Sequence, residues 1–145
     1  MDIKQISVFV ENKPGRLATI TKFLGENHVD IRALSIADTR DFGILRLIVD
    51  NPDQTITLLR EAGYTVSITS VIAVAMNDEP GSLAKVLEIL YMAGITVEYM
   101  YAFITRTKDH AYVVLRVEDT KDSRARDILM NNDIHLASSE DIYSL

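Results

Sequence analysis

Apolar residues recur at helical spacing over Leu17, Ile20, Phe23 and Leu24, and again over Leu83, Val86, Leu87 and Leu90. A matching word precedes each stretch: Asn12-Lys13-Pro14-Gly15-Arg16-Leu17-Ala18 in the first case, Asp78-Glu79-Pro80-Gly81-Ser82-Leu83-Ala84 in the second. Each helical pattern stops at a glycine-containing break, Gly25-Glu26-Asn27-His28 or Ala93-Gly94, and an extended segment follows, Val29 to Ile36 or Ile95 to Ala102. Polar hairpin tips, Asp38 to Asp41 and Arg106 to His110, then lead into the β-branched runs Ile44 to Val49 and Tyr112 to Val117. The same order of elements in both halves marks a tandem repeat, with a boundary expected between residues 69 and 70.

Each half reads strand, helix, strand, strand, helix, strand. With right-handed crossovers, both helices fall on one face of an antiparallel sheet, so the expected class is α+β: two ferredoxin-like βαββαβ units spanning 1–69 and 70–145. Asn51 before Pro52 reads as a helix cap followed by proline at the first helical position, and Gly63 reads as a helix stop. Val71 to Met76 is apolar throughout and Ile44 to Val49 nearly so, which predicts a sheet whose helix-free face is also covered, by the other half or by a second subunit. Ser67-Ile68-Thr69-Ser70 joins the halves without a flexible Gly/Ser stretch.

Composition narrows the function. The 145 residues are 48% hydrophobic and 25% charged with a net charge of −6, and they form no basic stripe of the kind that neutralises phosphates, so nucleic acid is not an expected partner. Arg124 and Arg126 sit among acids and read as a solvated helix face. No apolar run is long enough for a membrane helix and the N-terminus does not resemble a signal peptide, so a cytoplasmic location is expected. The absence of cysteine excludes disulfides, thiolate metal sites and thiol nucleophiles.

Catalytic signatures are missing. His28, His110 and His135 form no metal-binding spacing, and His28 is accounted for by a helix end where a cation is favourable. GxSxG, GxGxxG and the phosphate-loop Gly-Lys-Ser/Thr are absent. No metal, cofactor or catalytic residue is expected. Tyr99, Tyr101 and Phe103 alternate onto one strand face; an interface or ligand wall is favoured over an RNA-stacking platform, which lacks its basic flank. What remains is the repeated turn, where proline pre-sets a helix start and free backbone N–H groups can receive a carboxylate or phosphate.

The x-Pro-Gly-x-Leu turns, with the elements that follow them, resemble the ACT domain, and the resemblance covers essentially the whole chain as two copies. It implies a small-molecule sensor, most often of amino acids, that passes its occupancy to an enzyme or regulator, with the ligand between two ACT domains. The implied ligand-binding residues are Asn12, Lys13, Pro14, Gly15, Arg16, Leu17, Asp30 and Ile31 in the first copy. In the second they are Asp78, Glu79, Pro80, Gly81, Ser82, Leu83, Thr96 and Val97. Asn12 matches the polar side chain that bonds the ligand, Asp30 is placed to meet its ammonium, and Val10 and Met76 stand where some members carry a histidine. The implied partners are a free amino acid or similar small carboxylate, a second copy in a homodimer, and a metabolic enzyme. A regulatory subunit of an amino-acid biosynthetic complex is the alternative, and an enzyme on a ferredoxin-like scaffold finds no nucleophile and base to support it. Because Asp78 and Thr96 replace Asn12 and Asp30, the first copy is the better candidate for an amino acid.

Overall fold

The computed structural model describes residues 3–38, 41–105, 109–118 and 122–144, so parts of both expected hairpin tips, 39–40 and 106–108, lie outside the described residues. Two units form, Lys4–Thr69 and Ser70–Tyr143, the latter also taking in Ile3. The first comprises β1 (Ile3–Glu11), α1 (Arg16–Glu26), β2 (Ile31–Asp38), β3 (Phe42–Val49), α2 (Pro52–Glu61) and the opening residues of β4 (Val66–Asn77). The remainder of β4 begins the second, followed by α3 (Ser82–Met92), β5 (Val97–Ala102), β6 (His110–Val117), α4 (Asp122–Asn131), β7 (His135–Leu136) and α5 (Ser139–Tyr143). Each unit is thus a βαββαβ sandwich of the ferredoxin-like kind, with α5 added at the end of the second.

The first sheet runs in the order β2-β3-β1-β4 and the second in the order β5-β6-β4, with β7 pairing β4 on its other side. Ladder register decides which side chains meet. Ile6 lies opposite Leu47, Val8 opposite Leu45 and Val10 opposite Gly43, and these positions turn towards α1 and α2, packing with Ile20, Leu24, Ile56 and Leu59. The second unit repeats the scheme with Ile72 opposite Leu115 and Val74 opposite Val113, packed on Val86, Leu90, Ala125 and Leu129. Each fully buried aliphatic side chain in such a core contributes about 1.5–3 kcal/mol. On the helix-free face of the first sheet Gln5, Ser7, Ala33 and Ile48 are buried as well, and Gln5 Nε2 donates to Ser7 Oγ at 3.1 Å.

The expected caps form. The Asn51 side chain accepts from the Gln54 N–H with Pro52 in the first turn, and Gly63 follows α2 with φ 92°. His28 takes φ 58° just beyond α1. Tyr99 and Tyr101 lie opposite Arg116 and Val114, and Phe103 meets Tyr112 edge to face at 6.3 Å, so the three aromatics do share the helix-free face. One expectation needs correction. Arg126 is not on a solvated face: its side chain is 22% exposed, pairs with Asp122 at 2.8 Å and donates to the Val71 carbonyl at 3.1 Å, tying α4 to β4. After β7 the second unit adds α5, which the sequence reading does not include, and there Ser138 and Asp141 cap each other reciprocally at 3.0 and 3.1 Å.

Candidate functional site at the first Pro-Gly turn

Both turns are built by the same bonds. The Lys13 N–H donates to the Glu11 carbonyl at 2.9 Å, Asn12 N–H to Asp41 at 3.0 Å, Arg16 N–H to Lys13 at 3.3 Å and Thr19 N–H to Gly15 at 2.9 Å. In the second copy Glu79 donates to Asn77 at 2.9 Å, Asp78 to Asp109 at 3.1 Å, Ser82 to Glu79 at 3.2 Å and Lys85 to Gly81 at 3.1 Å. The chain reverses through Gly15 and Gly81, both left-handed with φ 85° and 92°, and neither side-chain caps its helix. The N–H groups of Leu17 and Ala18, and of Leu83 and Ala84, therefore have no partner among the described residues. They carry the positive end of the helix dipole.

Beside the first turn is a cavity of ≈ 290 Å³ lined by Val10, Glu11, Asn12, Leu17, Ile36, Gly43 and Leu45. Leu17 and Ile36 are each 43% exposed, which is unusual for large aliphatic groups on adjoining elements. The Asn12 side-chain amide makes no bond to any described residue. Glu11 is engaged instead, with Lys13 Nζ at 3.0 Å and Arg16 at 3.8 Å, and the Lys13 hydrogen bond and charge, aided by Arg16, hold its carboxyl below the ordinary range. The polar rim and apolar floor of this cavity suit a small amphiphile with a carboxylate.

The residues inferred from sequence do not all converge. Asn12, Lys13, Pro14, Gly15, Arg16 and Leu17 form the turn and the mouth of α1. Asp30 and Ile31 lie at the far end of the same sheet: Ile31 faces Val49 whereas Val10 faces Gly43, about 20 Å apart at roughly 3.3 Å per residue. Asp30 is paired there with Arg32 at 3.1 Å, and its N–H donates to Asp50. The second copy divides likewise, Asp78, Glu79, Pro80, Gly81, Ser82 and Leu83 at the turn, and Thr96 and Val97 at the other end, where Val97 faces Val117. Sequence reasoning missed Ile36, Gly43 and Leu45, which reach the turn only through strand register. It also kept His110 and His135 apart, yet both line a second groove of ≈ 300 Å³ with Asn77, Ser82, Lys85 and Asp133. Among the described residues no group of three or more His, Asp or Glu is placed to hold a metal ion, and no helix is long and apolar enough to cross a membrane.

With this geometry in place, the chain can be set beside known proteins. The family model described as an ACT domain pair matches residues 1–145. The crystal structure of protein BT0572 from Bacteroides thetaiotaomicron is similar over 100% of this chain and 98% of its own, at 38% identity and TM-score 0.90. The ligand-free regulatory subunit of aspartate kinase from Thermus thermophilus shares the fold at 15% identity and TM-score 0.63, over 90% of this chain and 93% of its own. The aspartokinase alpha and beta subunits do so at 21% identity and TM-score 0.54, over 88% and 90%. No curated protein matches the chain in sequence.

Proposed function

Since the chain belongs to the ACT domain pair family, we propose that it is a regulatory protein that binds an amino acid, or a similar small carboxylate, at the first Pro-Gly turn and signals its occupancy to a partner. One observation carries this reading: the unpartnered N–H groups of Leu17 and Ala18 and the unbonded Asn12 side-chain amide stand beside a cavity with an aliphatic floor. The N–H groups receive the carboxylate with help from the helix dipole, and Asn12 bonds the ligand's polar head. Asp30 and Ile31 are too far from the turn of their own unit to join it, so in this proposal a second copy of the chain brings its Asp30 towards the ammonium group, and the working form is a homodimer. Buried polar groups that need partners make such a site selective.

Calorimetry of the full chain against the twenty amino acids tests the proposal. At least one binder is expected, weakened by Asn12→Ala and by Asp30→Ala; silence across the panel overturns it. If Asn12→Ala weakens binding and Asp30→Ala does not, the contribution of the second copy is wrong while the turn site stands.

A second reading is favoured by the likeness to a regulatory subunit of aspartate kinase that extends over 93% of that protein's length. In it the chain is a feedback subunit of an amino-acid biosynthetic enzyme. Recovery of a stable enzyme complex from native cells at endogenous levels supports this version, and recovery of the free homodimer alone supports the independent sensor.

A further inference from the structure

The two turns share their backbone bonds, so differences between the copies lie in the side chains around them, and these differ consistently. In the first copy the strand floor is Val10 opposite Gly43, flanked by Leu45 and Ile36, which themselves face each other. In the second the corresponding positions hold Met76 opposite Ala111, with Val113 facing Ala102. A longer side chain and an added methyl thus stand where the first copy has valine and glycine, with Met76 half-buried, and the outer wall shrinks from Ile36 and Leu45 to Ala102 and Val113. Leu83 is drawn into its own unit's core, whereas Leu17 stands out over the cavity of the first.

The first-copy cavity has an unusual division of chemistry. All of its polar side-chain chemistry is at the rim, in Glu11 and Asn12, and Glu11 is already neutralised by Lys13 and Arg16. The inner wall offers no donor or acceptor side chain to a ligand: Val10, Leu17, Ile36 and Leu45 are aliphatic, and Gly43 adds no side chain at all. A ligand hydroxyl, amide or charge pushed against that wall would lose its water and gain no partner, at a penalty that exceeds what a well-placed hydrogen bond returns. An apolar group gains by leaving water there. The volume of ≈ 290 Å³ is ample, since a dry apolar cavity of about 150 Å³ takes up benzene.

We propose that the first-copy site selects an α-amino acid with an apolar side chain, and that the second copy, where Met76 and Ala111 replace Val10 and Gly43 and the groove of ≈ 300 Å³ at the turn is lined by Lys85, His110, Asp133 and His135, does not take an apolar one. This rests on the proposed amino-acid function and specifies the ligand class and the number of sites. The head group meets the N–H groups of Leu17 and Ala18 and the Asn12 amide, and the side chain lies on Val10, Gly43, Leu45 and Ile36 beneath Leu17.

The chain itself supplies the test substitutions. A Cβ added at Gly43 would meet Ile36 Cγ2 at 3.6 Å and the Val10 carbonyl at 3.8 Å, ordinary contacts that the strand accommodates while the cavity narrows. Gly43→Ala and Val10→Met copy the second repeat into the first, and Leu17→Ser removes an apolar wall at an exposed position where folding is not at stake. Calorimetry of the full chain with leucine, isoleucine, valine, methionine and phenylalanine, against serine, aspartate and lysine, reads the outcome. Expected are one site per chain, preference for an apolar amino acid, and about tenfold or greater weakening in each variant, with melting curves confirming that each folds. A polar or charged amino acid binding most tightly overturns this inference and leaves the proposed function intact. Silence across the full panel of twenty overturns both. Two equivalent sites per chain, or apolar binding untouched by all three variants, overturns the assignment to the first copy.

Discussion

The Glu11 carboxylate lies 3.0 Å from the Lys13 ammonium at the first turn, whereas the second copy has Asn77 and Glu79 at the same two positions. An ion pair at one turn is therefore replaced by an amide and a lone carboxylate at the other, on the same backbone bonds. Because Lys13, through its hydrogen bond and its charge, and then Arg16 lower the Glu11 pKa from its ordinary 4.5, the folded state holds the proton less tightly than the unfolded chain. The resulting stabilisation is complete above pH 4.5 and is lost as pH falls through the lowered folded value. Glu11→Gln is expected to flatten this part of the acid limb in a series of melting curves from neutral pH downwards. The effect is small, since both groups are well exposed to solvent.

Asp141 acts in the same sense at the other end of the chain, where the Ser138 N–H and hydroxyl bond its carboxylate and lower its pKa. Asp141→Ala breaks a reciprocal cap on a five-residue helix. Hydrogen exchange is expected to accelerate at α5 in this variant, while exchange in the β4–β6 ladder stays unchanged.

Arg126 offers a sharper stability test. Arg126→Met keeps much of the side chain's bulk but removes the donors that reach Asp122 and the Val71 carbonyl. A loss of about 2 kcal/mol is expected from urea unfolding, the range for hydrogen bonds to charged groups. Arg124→Met, on the exposed side of the same helix, is expected to change stability by less than about 0.5 kcal/mol.

Asn51→Ala removes the acceptor for the Gln54 N–H at the start of α2. A cost of about 1 kcal/mol is expected in the same unfolding measurement. Asn51→Asp is expected to retain most of the stability, because a carboxylate caps equally well and complements the helix dipole.

The turns were legible in the sequence because a backbone requirement writes itself locally: a left-handed residue before a helix calls for glycine, and the helix start accepts proline. The strands and first four helices were legible for a similar reason, since the spacing of Ile20 and Leu24 and of Val86 and Leu90 records which face is buried. The cavity wall was not. Ile36, Gly43 and Leu45 reach Leu17 only through the pairing of three strands, and no local pattern announces that register. Arg126 was misread because its neighbours in sequence are charged while its neighbours in space are the α4 carboxylate and a β4 carbonyl. The Ser138-to-Asp141 spacing is a local capping signal for a helix too short to show a periodicity of its own. Asn12 and Asp30 were grouped by family resemblance, which names positions without saying whether one chain or two must supply them.

Gly15 and Gly81 have open space where a Cβ would project, with nothing within 4 Å. The restriction at these turns is therefore one of handedness and not of size. Their backbone angles, φ 85° with ψ −9° and φ 92° with ψ −13°, are close mirror images of the conformation that L residues take at the third position of a type I turn. L-alanine at either site should destabilise the fold by about 1–2 kcal/mol. D-alanine introduced by chemical ligation should fit without strain and, by restricting the unfolded chain, should stabilise it. The repeated turn is a chiral constraint imposed twice on one polypeptide, and mirror-image chemistry can satisfy it.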